Sequence, residues 1–165
     1  MTLQSSTDET TMIAIISELA SGHDITLVDC AGISNQAMIF AVGTADLVLI
    51  PAMADEANVF EATRMRRIVE NVANMTKKPI KFRSLLCRVK RAVVASHARS
   101  QLEALGAHPL ETQLHDRVIF QEATFHGSSP TVLAPKSGAA QDIGELAKEV
   151  ELILWRRSAK SGDRK

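Results

Sequence analysis

"HDITLVDCAGISNQA", residues 23–37, decides how this chain is read. A short, mostly apolar and β-branched run, Ile25 to Val28, ends in Asp29 and passes into the small residues Cys30, Ala31 and Gly32. The run predicts a strand buried on both faces, because no strict polar alternation marks a solvent side. In parallel α/β sheets ligands gather beyond the carboxyl ends of the strands. Asp29 is therefore a candidate to hold Mg²⁺ through water, or to orient a water beside a phosphate. By spacing alone the same aspartate serves equally well as a structural cap of the loop that follows.

Outward from this stretch, strands and helices alternate. Upstream, residues 8–21 carry Met12, Ile15, Ile16 and Leu19 at helical spacing behind a capping-type "STDE", with Gly22 closing the segment. Downstream, 35–45 predicts a short helix, and "DLVLIPA" (46–52) a second buried strand stopped by Pro51. Residues 56–75 predict a long helix with Val59, Ala62, Met65, Ile68, Val69 and Val72 on one face and Arg64, Arg66 and Arg67 mostly off it. "IKFRSLLCRV" (80–89) is a third strand, interrupted by Lys81 and Arg83. A helix over 93–106, a short strand over 108–114, a helix over 116–127 and a long helix over 137–157 complete the series; the last turns Ile143, Leu146, Val150, Ile153 and Leu154 inward. The class is α/β: a mostly parallel sheet with helices on both faces.

Composition sets the outer bounds. With 165 residues and 45% hydrophobic content, one ordinary domain over 1–157 can bury a core, and the polar stretch 158–165 reads as a flexible basic tail. No apolar window reaches the roughly 18 residues of a membrane span, and the N-terminus lacks the basic start and apolar centre of a signal peptide. A cytoplasmic protein without membrane partners is expected. Cys30 and Cys87 stand in apolar runs with no metal-ligand spacing and read as reduced core thiols. No Ser/His combination sits in a nucleophile elbow, so covalent catalysis finds no support.

The formal net charge is zero, but it is partitioned. Residues 1–63 hold nine acids and no Lys or Arg; residues 64–91 hold ten basic residues against Glu70; the remainder balances at nine of each. A polar molecule with one basic surface suits nucleic acid or an acidic partner, while the same pattern also describes a solvated helix face.

The order of the elements resembles the middle of the ParA/MinD family of deviant-Walker ATPases. The resemblance runs over roughly residues 8–155. It rests on the Asp-ended strand and small-residue loop, the "AD" before an apolar strand, the long helix after it, and "QEATFHG", Pro130 and "PKSGAAQDIGELAKE" toward the end. With "CRVKR" after the third strand, the chain is similar to ParA-like proteins of plasmid partition and of conjugal and T-DNA transfer. The resemblance implies a P-loop NTPase-like, doubly wound fold. It makes Asp29 the Walker B-like acid and Mg²⁺ site, and Cys30, Ala31 and Gly32 the loop that senses the γ-phosphate, here without the family's usual Pro. It brings Leu114, His115 and Asp116 near the adenine, with His115 where a Pro is common. A solvent-facing His at a helix start is the alternative for that position.

The family's phosphate loop, a Gly-rich run ending in Lys-Thr, lies before the Walker B strand, and nothing in residues 1–28 resembles it. Glycine amides and a lysine are what cradle a triphosphate. Relative to the family the chain is expected to be N-terminally truncated and to lack the P-loop strand beside the Walker B strand. It is therefore expected to need no cofactor and to be inactive as an ATPase by itself, with ATP and Mg²⁺ its cofactors only if the family activity is retained. Its expected role is a DNA- or partner-binding module. Arg64, Arg66, Arg67, Lys90, Arg91, Arg156, Arg157 and Lys160 are the candidate DNA contacts, a partition or relaxosome-type protein is a candidate partner, and the unpaired strand near Ile25 to Val28 favours a homodimer or larger oligomer. The alternatives are part of a working ATPase whose P-loop is supplied in trans or upstream, and an unrelated α/β interaction domain.

Overall fold

The structure is a computed structural model that describes residues 2–5, 11–30 and 35–155. Two compact units emerge. One takes in the described residues up to Val48 together with Arg67–Lys81; the other takes in Leu49–Arg66 and the described residues from Phe82 onward.

In the first unit, helix α1 (Met12–Gly22) packs on helix α2 (Gln36–Thr44). The predicted stripe Met12, Ile15, Ile16 and Leu19 is half-buried, and Ile13 is exposed. Asn35 caps α2, its side-chain oxygen accepting the Met38 amide at 2.9 Å. Met38, Ala41 and Val42 form the buried side of α2, and the second half of α3 (Glu56–Thr76) buries Val69 and Val72. A Cβ on Gly43 would stand 3.5 Å from Val72, so glycine permits the close approach of these helices. At the far end of α2, Lys78 reaches the Thr44 and Ala45 carbonyls at 3.5 and 3.4 Å, a cation at a helix C-terminus.

The expected strand at 24–29 does not form. Residues 25–30 make no ladder with any described strand, and Ile25 (57%), Leu27 (89%) and Val28 (41%) are exposed. Apolar β-branched residues favour a pleated, covered surface, but a strand exists only through a neighbour that takes its amides and carbonyls. Asp29 therefore stands at no strand end. Cys30 is exposed rather than in a core, and Cys87 is half-buried; both are free thiols.

The second unit holds most of the sheet, ordered β1 (Leu47–Met53), β2 (Lys81–Val89) and β3 (Pro109–His115), with the first half of α3 and with α4 (Ala92–Ala104), α5 (Val118–Phe125), α6 (Pro130–Leu133) and α7 (Gly138–Trp155). β2 and β3 are parallel. Pro51 does not stop β1, which continues to Met53; Pro51 is exposed on an edge strand, where a missing amide is tolerated. Lys81 and Arg83 do not break β2 either, because Ser84, Leu85, Leu86 and Val89 carry its burial. The short α6 carries no periodic signal, and Pro130 starts it.

α7 and α4 pack on β3. α7 buries Ala139, Ala140 and Asp142, while the expected stripe Ile143 to Leu154 is only half-buried. Glu149 of α7 accepts the amides of Glu111 and Thr112 of β3, each at 2.9 Å. Burial works to raise the Glu149 carboxyl, but these amides and the Arg99 charge outweigh it and hold it below the usual carboxylate value. Arg99 of α4 donates to the Leu110 and Glu111 carbonyls at 2.5 and 2.8 Å. These bonds answer backbone groups of Leu110 to Thr112, where the register between β2 and β3 shifts.

Candidate functional site

At the carboxyl ends of β2 and β3 a cleft of about 330 Å³ opens, lined by Cys87, Arg88, Leu114, His115, Asp116 and Phe120 among others. Its geometry begins with an irregular register. Leu86 pairs with Gln113 and Val89 with His115, so three steps along β2 match two along β3. The extra residue is a bulge, and within it Arg88 takes φ 54°, the left-handed region that costs a non-glycine residue about 1–2 kcal/mol. The bulge aims Arg88 at the neighbouring strand: its Nε stands 3.9 Å from Asp116, and Lys90 Nζ stands 3.1 Å from the same carboxylate.

Beneath His115 lies a compact polar cluster. Asp142 Oδ2 accepts the His115 backbone amide at 3.1 Å, His115 Nδ1 at 3.1 Å and Arg117 Nε at 3.2 Å, while Arg117 Nη2 reaches Oδ1 at 3.5 Å. Asp142 is only 6% exposed. Burial works to raise its carboxyl, but the bonds from Arg117 and from the backbone and ring of His115 outweigh it and hold the group below the usual aspartate value. With Nδ1 donating to Asp142, His115 Nε2 is left to accept the Gln113 amide at 3.4 Å, and the ring is oriented at both ends. The Arg117 guanidinium lies over Gly138, at the start of α7, where only a hydrogen fits.

Of the residues singled out in the sequence, Leu114, His115 and Asp116 come together in this cleft, with Lys90 beside them. His115 is the last residue of β3 rather than a residue at a helix start, and its side chain is about two fifths exposed. Arg91 is exposed at the N-cap of α4. On α3, Arg64 is exposed and pairs with Glu61 at 3.3 Å, Arg67 is exposed, and Arg66 is half-buried against Gly106. Asp29 and Cys30 belong to the other unit; partial desolvation and then the Asp29 charge push the Cys30 thiol up. Ala31, Gly32, Arg156, Arg157 and Lys160 lie outside the described residues.

Sequence reasoning missed Arg88, Arg117 and Asp142. A signal for Asp142 was available: it occupies the buried stripe of α7 between Ala139 and Leu146, where a carboxylate needs partners. Arg88 gave none, because a bulge is set by pairing.

The cleft has the size and partly apolar lining of a site for a planar base, but its cations are engaged with Asp116 and Asp142 and it presents no glycine-rich amide cradle. Among the described residues no group of three or more His, Cys, Asp or Glu is placed to hold a metal ion. The residues lining this cleft build no cradle for a triphosphate. A second cleft, of about 290 Å³, lies at the end of β1 among Asp55, Glu56, Val94, His97 and Gln101. There Asp55 caps α3 by accepting the Asn58 amide at 2.9 Å. No described helix is long and apolar enough to cross a membrane.

No family model and no curated protein matches the sequence. Solved structures do. The cell division ATPase MinD of Pyrococcus furiosus superposes with a TM-score of 0.73 at 18% identity, over 87% of this chain and 58% of that one. The MinD cell division protein of Aquifex aeolicus superposes with a TM-score of 0.66 at 20% identity, over 87% of this chain and 60% of that one. The chain thus spans about three fifths of the MinD structures it matches, and what it shares with them is the fold: a P-loop NTPase-like α/β arrangement with a parallel sheet flanked by helices.

Proposed function

We propose that this chain is a ParA/MinD-type module that holds duplex DNA non-specifically and serves plasmid partition or DNA transfer. The observation that carries the reading is the group of cations at the end of β2: Arg88, Lys90 and Arg91 are exposed, and Asp116 is the acid that answers two of them. Arg64 and Arg67 add exposed charge on α3. Binding of this kind releases counterions, so affinity falls with salt at a log–log slope of roughly −0.9 per phosphate contact. Aromatic residues are sparse, at 4% of the chain, so few are available to stack on single-stranded bases, and duplex is bound at least as well.

The test is fluorescence anisotropy of a labelled duplex at two salt concentrations. Micromolar or weaker binding is expected, with a shallower salt slope for Lys90→Ala/Arg91→Ala and for Arg64→Ala/Arg67→Ala. If no binding appears at low salt, or neither variant weakens it, the cations are a solvated face and the chain is an interaction domain of another kind.

A second reading, part of a working ATPase completed by a P-loop from elsewhere, is favoured by the base-sized cleft at Leu114–Asp116. For this chain alone, calorimetry is expected to show no saturable ATP binding, with affinity in the millimolar range at best. A micromolar dissociation constant abolished by Asp29→Ala would establish the second reading instead.

A further inference from the structure

Two cations and one acid meet beyond the bulge of β2, and they are held with unequal firmness. Asp116 is the fixed member: its backbone amide donates to the Val89 carbonyl at 3.0 Å, and its side chain is only 24% exposed. Lys90 Nζ, at 3.1 Å, and Arg88 Nε, at 3.9 Å, reach the carboxylate from side chains that are 73% and 63% exposed. Ion pairs between groups so open to water contribute little, because water solvates each partner nearly as well as the other does. The cations can therefore leave while the acid stays. A row of backbone phosphates, with its dense negative charge, is the stronger anion for them.

We propose that Asp116 is a built-in competitor for the phosphate backbone: it occupies Lys90 and Arg88 in the free protein, and duplex DNA displaces it to reach them. The inference rests on the DNA reading above and adds its regulation. With Asp116 charged, the three side chains carry one net positive charge; with Asp116 neutral they carry two. The carboxylate thus keeps the hold on DNA weak and reversible, although residues 64–91 carry ten basic residues against one acid.

Fluorescence anisotropy of the labelled duplex tests this with three variants. Asp116→Asn keeps the side-chain shape and the amide bond to Val89, so its circular dichroism should match the wild type, while the dissociation constant falls roughly tenfold at about 0.1 M salt and the gain shrinks as salt rises. Glu103→Gln removes an equal charge near the other end of α4, about 18 Å along the helix from Arg91 and beyond a Debye length, and should change affinity by less than about twofold. Asp116→Asn placed in an Arg88→Gly/Lys90→Ala background should bring no gain; glycine suits the φ of 54° at position 88. If the wild type binds and Asp116→Asn binds no tighter, if Glu103→Gln matches its gain, or if the gain persists without Arg88 and Lys90, this inference falls and the DNA reading stands. Silence of both wild type and Asp116→Asn at low salt overturns the two together, and binding by Asp116→Asn alone supports competition by Asp116.

Discussion

Asp142→Ala is expected to lower stability by about 2–4 kcal/mol and the thermal midpoint by roughly 5–15 °C for a chain of this size. The carboxylate is buried and takes four donor contacts, two from Arg117 and two from His115. Removing it strands a guanidinium, an imidazole and a backbone amide in one step. The figure is kept below that for a fully buried pair because Arg117 and His115 are each about two fifths exposed and regain part of their solvation from water. The acid side of the stability curve should report the same group. Its folded value lies below the unfolded one, so its contribution is complete above the ordinary aspartate range and is lost as pH falls through the lowered folded value. Scanning calorimetry of Asp142→Asn against wild type, at neutral pH and at about pH 3, should find the difference largest at neutral pH and shrinking on acidification. A difference independent of pH would mean that packing, not the charge, holds the cluster.

Gly138→Val should cost about 2–3 kcal/mol by a different route. A Cβ at this position would lie 2.6 Å from the Arg117 Cζ and Nη1 and 2.8 Å from Nη2. The guanidinium must leave, and with it go its bonds to Asp142. Gly144, on the same helix, has nothing within 4 Å of its would-be Cβ, so Gly144→Ala should instead stabilise by up to about 1 kcal/mol through helix propensity. Urea unfolding of the two variants checks both signs. A Gly138 variant as stable as wild type would show that Arg117 is not bound to that position.

Helix periodicity located α3 and α7 to within about two residues, because their apolar positions recur with the helical period, and Gly106 marked the end of α4. The apolar runs at Leu47–Ile50 and Phe82–Val89 were likewise legible as strands. The same rule failed at Ile25–Val28. Composition states that a segment suits a sheet; it cannot supply the neighbour whose amides make it a strand.

The sequence by itself determined the α/β class and most of the alternation of strands and helices from Gln36 onward, since these follow from local pattern, while the grouping of Leu114, His115 and Asp116 was implied by the family resemblance. Tertiary structure alone decided that Asp142, 26 positions beyond Asp116, anchors His115 and Arg117, that a bulge swings Arg88 toward Asp116, and that Asp29 belongs to an uncovered segment. The physical reason is common to all three. Register, bulges and buried ion pairs depend on which groups meet across long sequence separations, and a carboxylate carries no mark of the partner that will neutralise it.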